Sequence, residues 1–128
     1  MGELPDRVSI REVGPRDGLQ IEEQVVPTEK KIEWIWRLAE TGVDIIQAGS
    51  FVNPSKVPQM ADTDSVFRVL GEIGRKPGVR YSGLVLNEKG LERGMASCEA
   101  RLLSASMPWL PRPGSCCTTT NCARPVHP

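Results

Sequence analysis

Arg16 and Asp17 stand side by side in the run Val13-Gly14-Pro15-Arg16-Asp17-Gly18-Leu19-Gln20. An arginine offers a permanently charged planar fork that can hold a carboxylate or thioester oxygen and stabilise negative charge forming on it. An aspartate supplies a hard anionic oxygen of the kind that Mg²⁺ or Mn²⁺ takes. Neither residue is specific alone, because Asp-Gly is a common turn pair and a loop arginine is usually solvated or paired at the surface. Glu12, just before the run, has two readings: a carboxylate orienting a metal site from behind, or a strand-end ion pair. Gln20 closes the run with an amide able to bond a substrate or the loop backbone. At the other end of the chain, Cys116, Cys117, Cys122 and His127 are of zinc-ligand type. Their spacing fits no paired-knuckle pattern, and adjacent cysteines cannot form the usual Cys-x-x-Cys turn, so they read as exposed thiols.

The first candidate group needs elements to hold it. Residues 8–13 read as a strand that ends at Gly14-Pro15. Thr28 is the expected N-cap of a helix whose Ile32, Ile35, Trp36, Leu38 and Ala39 recur at helical spacing and which stops near Gly42. On that helix, one of Trp34 and Trp36 is expected in the core and the other at its rim. Residues 43–48 are short, β-branched and nearly continuous in apolar character, as in a parallel strand covered by helices. A long connection over 49–60 follows, and long loops inside domains are often functional. Asp62 or Thr63 is the expected cap of a helix carrying Val66, Phe67, Val69, Leu70 and Ile73. Residues 79–86 supply a third strand, weakened at Gly83, and a short helix runs from Asn87 or Glu88 to Ala96.

This rhythm of strand and helix predicts an α/β fold over 8–106, with 101–106 as a fourth strand. Pro108, Pro111, Pro113, Pro125 and Pro128 then predict an irregular tail over 107–128 that also holds Trp109. Sixteen basic residues balance sixteen acidic ones, so charge favours neither nucleic acid nor an anionic membrane as partner. No stretch has the length and apolarity of a membrane span, and the start lacks a secretory signal pattern, which gives a cytoplasmic protein as the expectation. Met1-Gly2 begins a myristoylation pattern, but Asp6 stands where Ser or Thr is wanted. Three of the four cysteines lie in the tail, so they do not staple a core.

Residues 13–20 resemble the first-strand signature of the hydroxymethylglutaryl-CoA lyases, a branch of the metal-dependent barrel enzymes with an Arg-Asp-Gly core. Gly14-Pro15 matches the lyase form rather than the Thr-Leu usual in related synthases and carboxyltransferases. Ser50-Phe51-Val52-Asn53-Pro54 with Val57-Pro58-Gln59-Met60 matches the same family's loop after the second strand. The resemblance covers residues 8–97. It implies a partial (β/α)₈ TIM barrel of three to four strand-helix units with its site at the carboxyl ends of the strands. It also implies an acyl-CoA substrate, metal-assisted cleavage of a carbon-carbon bond, and a divalent cation, Mg²⁺ or Mn²⁺. Arg16 becomes the catalytic and substrate-binding arginine, Asp17 a metal ligand, Gln20 a substrate contact and Glu12 a carboxylate behind the metal. Gln47 occupies a catalytic position where the family has Glu, and an amide cannot take a proton, which opens the identity of the acyl-CoA and keeps a condensing or carboxyltransfer reaction as the alternative.

The family completes its metal site with a His-x-His pair and an Asn from later strands, whereas this chain has one histidine, His127. At 128 residues it is also shorter than the roughly 250 of a closed barrel. The expectation is an inactive, truncated barrel or a non-enzymatic gene fragment, with a frame change or truncation behind the shift to Pro- and Cys-rich sequence. Translating the other two frames downstream of the Ser97 codon tests the frame change: further barrel sequence with a His-x-His pair is expected, and its absence from both frames refutes it.

Overall fold

Strands β1 (Arg11–Glu12), β2 (Ile45–Ser50), β3 (Arg80–Val85) and β4 (Leu103–Ala105) form one parallel sheet in the order in which the chain makes them. A sheet wound in one direction, with a helix after each of its first three strands, is the arrangement of an arc of a (β/α)₈ barrel. A doubly wound sheet reverses its order at a switch point. The computed structural model describes residues 2–74, 76–97 and the backbone of 103–105. The tail over 107–128, with the cysteine and histidine readings attached to it, lies outside the described residues.

Helices α1 (Thr28–Ala39), α2 (Thr63–Glu72) and α3 (Glu88–Ser97) connect the strands. Ile35 and Ala39 of α1 meet Val66, Phe67 and Leu70 of α2, and these pack with Ile46, Phe51, Tyr81 and Val85 in one apolar cluster. Burial at Tyr81, Gly83 and Val85 alternates with partial exposure at Ser82 and Leu84, the period-two pattern of a strand with one face against helices. Pairing of Ile46 with Tyr81 and of Gln47 with Ser82 carries the alternation into β2. Ile46 therefore faces the helices, and Gln47 and Ser82 share the opposite face. A register shift between Gln47 and Gly49 then brings Gly49 opposite Gly83. Gly83 must lack a side chain: a Cβ there would lie 2.8 Å from the Phe51 ring and 3.0 Å from that of Phe67. Gly90 is equally constrained, since a Cβ would run into the carbonyl oxygen of Phe51.

Several expectations need correction. β1 covers Arg11–Glu12 rather than 8–13: the Ile10 carbonyl still accepts from the Ile45 amide at 3.2 Å, but the Ile10 amide donates to the Asp44 carboxylate at 2.9 Å rather than to a strand. Pro27, not Thr28, is the N-cap of α1. The Thr28 hydroxyl instead donates to Asp62 Oδ2 at 2.7 Å. Asp62 is the cap residue of α2 by position, yet its side chain makes no capping bond. Its other oxygen accepts from Lys31 Nζ at 2.6 Å, and Thr63 Oγ1 donates to the Ser50 and Met60 carbonyls at 3.0 and 2.8 Å. Neither tryptophan enters the core. Trp34 is exposed, and half-buried Trp36 carries Lys76 Nζ 4.7 Å above its ring, while Ile35 between them is fully buried. The second strand runs on through Gly49 and Ser50, and Pro58–Met60 in the following connection forms a 3₁₀ turn.

Lys31 is 2% exposed, and a buried ammonium is costly unless fully paired. Asp62→Ala removes its anionic partner and should cost about 2–4 kcal/mol, read as loss of hydrogen-exchange protection across α1 and α2. Unchanged protection contradicts that role. A second prediction concerns acid. The Ile10 amide, and then the Ser9 hydroxyl, bond the Asp44 carboxylate and hold its pKa below the ordinary 3.8. A depressed carboxylate stabilises the fold fully above its unfolded pKa and loses that contribution as pH falls through the folded value. Protection of the Ile10 amide should therefore fall as pH drops below 3.8, and Asp44→Asn should abolish that acid step. An acid step that persists in the variant refutes the assignment.

Candidate functional site

Immediately after β1 the chain winds into a five-residue π turn, Gly14–Gly18. The Val13 carbonyl accepts from both the Arg16 and Asp17 amides, at 3.0 and 2.7 Å, and the Leu19 amide reaches back to the Gly14 and Arg16 carbonyls. Pro15 is buried within the turn, where its fixed φ and missing N–H suit a helical start. Glu12 braces the entry: its Oε1 accepts from the Gly14 amide at 2.7 Å. A Cβ at Gly14 would lie 2.8 Å from that same oxygen, so any larger residue there would push the Glu12 carboxylate aside.

The turn aims Arg16 across the top of the sheet. Arg16 Nε donates to Gln47 Oε1 at 2.8 Å, and Nη1 donates to Asp17 Oδ1 at 2.8 Å. Gln47 is 4% exposed and Asp17 is largely in solvent. Arg16, beyond the carboxyl end of β1, thus reaches Gln47 within the neighbouring parallel strand β2, 31 positions away in sequence, while Asp17 is held beside the guanidinium. Gln20 lies one turn further on, and its Oε1 is buried without a hydrogen-bond partner among the described residues. Of the residues singled out in the sequence, Arg16, Asp17 and Gln47 are brought together, whereas the Glu12 carboxylate is turned to the Gly14 amide.

The 51–60 connection is fastened from below. Phe51 packs on Phe67 with ring centroids 5.2 Å apart, and its amide donates to the Leu84 carbonyl at 2.8 Å. Arg93 of α3 donates to the Val52 carbonyl at 2.8 Å and also pairs with Asp64 of α2, which accepts from Ser97 as well. Gln59 Nε2 donates to the Glu22 carbonyl at 2.7 Å and so ties this connection to the chain leaving the π turn. Arg93 and Asp64 were not singled out in the sequence, since nothing local distinguishes them from surface charges. Ser82 was missed too. Its hydroxyl is buried without a partner among the described residues, as is that of Ser50, and strand pairing from Gln47 is the signal that places it.

A divalent cation of the Mg²⁺ or Mn²⁺ type wants several oxygen ligands around it. Among the described residues no group of three or more His, Cys, Asp or Glu side chains converges, and the one carboxylate at the site, Asp17, is shared with a guanidinium. These residues alone do not fit a cation. Their chemistry is that of a charged hydrogen-bond donor fixed by a neutral amide.

No family model matches the chain. It is 50% identical over 97 residues to the mitochondrial hydroxymethylglutaryl-CoA lyase of Rattus norvegicus, covering 76% of this chain and 29% of that protein. It is 51% identical over 94 residues to the cytoplasmic 3-hydroxy-3-methylglutaryl-CoA lyase of the same organism, covering 73% and 26%. Among solved structures, an HMG-CoA lyase from Acinetobacter baumannii in complex with coenzyme A and 3-methylmalate superposes with a TM-score of 0.71 at 41% identity, over 82% of this chain and 33% of that one. The HMG-CoA lyase from Brucella melitensis gives 0.69 at 44%, over 79% and 34%. The chain thus spans under a third of the length of these curated relatives.

Proposed function

We propose, from the premise that this chain belongs to the hydroxymethylglutaryl-CoA lyase family over about three quarters of its length, that it carries part of an acyl-CoA carbon-carbon lyase site. The observation that supports this reading best is the Arg16–Gln47 hydrogen bond, made by an arginine on the turn that follows the carboxyl end of β1, the end at which barrel enzymes keep their chemistry. The proposed substrate is a 3-hydroxyacyl-CoA. Its 3-hydroxyl proton leaves to a base, the C2–C3 bond breaks, and C3 becomes the keto group of a keto acid. The bond's electron pair passes to the thioester as an enolate, which takes a proton at C2 to give the product acyl-CoA. Charge therefore develops on the thioester oxygen, and the Arg16 guanidinium, fixed on one side by Gln47 and on another by Asp17, is preorganised to meet it. Gln47 has no protonatable oxygen and holds the arginine without serving as the base. Gln20 is assigned to substrate contact, and Glu12 to bracing the turn that carries Arg16 and Asp17.

Asp17 is this chain's proposed contribution to a divalent cation, Mg²⁺ or Mn²⁺, whose ligand set the described residues do not complete. The proposed small-molecule partner is an acyl-CoA, in keeping with the coenzyme A bound by the Acinetobacter baumannii lyase. Among the described residues no helix is long and apolar enough to cross a membrane. We assign the protein to the cytoplasm, as for the cytoplasmic relatives it matches, and mitochondrial relatives match as well.

The chain by itself is proposed to be inactive, because one carboxylate and one arginine do not complete the site. Purified chain given 3-hydroxy-3-methylglutaryl-CoA and Mn²⁺ should form no acetyl-CoA and show no rise in thermal midpoint with Mn²⁺. A chimera carrying residues 8–97 in place of the matching segment of a full-length relative tests the reading directly. It should cleave that substrate weakly, and Gln47→Glu should raise kcat while also raising KM. Arg16→Lys, which keeps charge but loses the fork, should lower kcat by about 10²-fold or more in the improved chimera. Near-normal turnover in the lysine variant refutes the role of Arg16, and condensation without cleavage favours the synthase-like alternative.

A further inference from the structure

The Arg16–Gln47 bond fixes more than the arginine. Nε of a guanidinium only donates, so the Gln47 amide must turn its oxygen toward Arg16 and its NH₂ group away. A glutamate at the same position would present a second acceptor where Gln47 presents donors. Ser82 is the cross-strand partner of Gln47, and the two side chains share the face of the sheet opposite the helices. The Ser82 hydroxyl is buried and finds no hydrogen-bond partner among the described residues. Such a group is ordinarily satisfied by water or a ligand. The three neighbouring groups, guanidinium, amide NH₂ and hydroxyl, can all donate, and the one carboxylate beside them, Asp17, is already taken up at Oδ1 by Arg16.

We infer that Arg16, Gln47 and Ser82 form a donor-rich subsite that binds a carboxylate of the ligand, with Gln47 and Ser82 selecting an anion over a hydroxyl group. The assignment deepens the lyase reading and rests on it for the place of this carboxylate within a 3-hydroxyacyl-CoA or its keto acid product. The anion site itself rests on the geometry alone. Both carboxylate oxygens have lone pairs to spare for such a set: Arg16 supplies the charge, and the Gln47 amide and the Ser82 hydroxyl supply orientation. A hydroxyl in the same place would meet donors on every side with one fewer acceptor to offer them.

Titrating the full chain with glutarate, a short dicarboxylate, and following the Arg16 Nε–H and Gln47 side-chain NH₂ resonances tests the site without any turnover. Both signals should shift together and saturate. Gln47→Glu, nearly isosteric, should weaken binding about tenfold or more by placing a second anion at the site. Ser82→Ala should weaken it about threefold to tenfold, and Ser82→Thr, which keeps the hydroxyl, should restore it. The inference is overturned by unshifted resonances in the parent chain, by glutarate binding as tightly to the glutamate variant, or by equal binding in the alanine variant. Equal losses in the Ala and Thr variants overturn it as well, since they would report packing at Ser82 rather than its hydroxyl. A chimera that fails to cleave substrate while the chain still binds glutarate would remove the lyase reading and leave the anion site standing.

Discussion

An ammonium group buried among apolar side chains has to be given acceptors, and that requirement at Lys31 organises much of this molecule. Lys31 reaches from α1 to the Gln59 carbonyl and the Asp62 carboxylate, and Asp62 also takes the Thr28 hydroxyl. The first turn of α1 is thereby fixed to the chain entering α2. Gln59, held through its carbonyl, uses its side chain to catch the Glu22 carbonyl on the stretch that leaves the π turn. The segment carrying Arg16 and the connection after β2 are thus anchored through one buried cation. The lysine stem contributes apolar area to the core at the same time.

Long-range bonds of this kind also mark where the sequence stopped being informative. The helices, and strands β2 and β3, were legible because apolar residues at periods near 3.6 and 2 have only one way to meet a core. Arg16 and Asp17 were legible as one candidate group because they adjoin, but the ion pair between them was not anticipated. The helix caps were not. Thr28 and Asp62 each have the right chemistry for a local cap, yet they bond one another across 34 positions, and no local rule anticipates that choice. β1 was overestimated for a similar reason, since Asp44, outside any strand, captures the Ile10 amide. Glu12 had two readings, a carboxylate behind a metal site or a strand-end ion pair, and its carboxylate instead accepts from the nearby Gly14 N–H. Ser82 has no motif at all, and only the register of β3 against β2 gives it a place beside Gln47.

Membership of the lyase family and possession of a working lyase site are separate properties here. The matched segment contains the residues that aim and hold a guanidinium, and it repeats the family's turn and loop chemistry closely enough for half of the aligned positions to be identical. Gln47 is an amide bonded to the Arg16 guanidinium, so it can orient that charge but cannot take up a proton.

The π turn over Gly14–Gly18 carries a consequence for how this segment can change. A π turn accommodates one residue more than an α-helical turn of the same span, so shortening it by one residue would rotate everything beyond by about 100° around the local axis. Arg16 would then swing away from Gln47, with every residue type in the signature still present. Substitutions in this stretch are graded losses, but a single-codon deletion is a change of phase. The length of the segment is therefore held as firmly as its composition, and alignments of related chains should show replacements here without gaps.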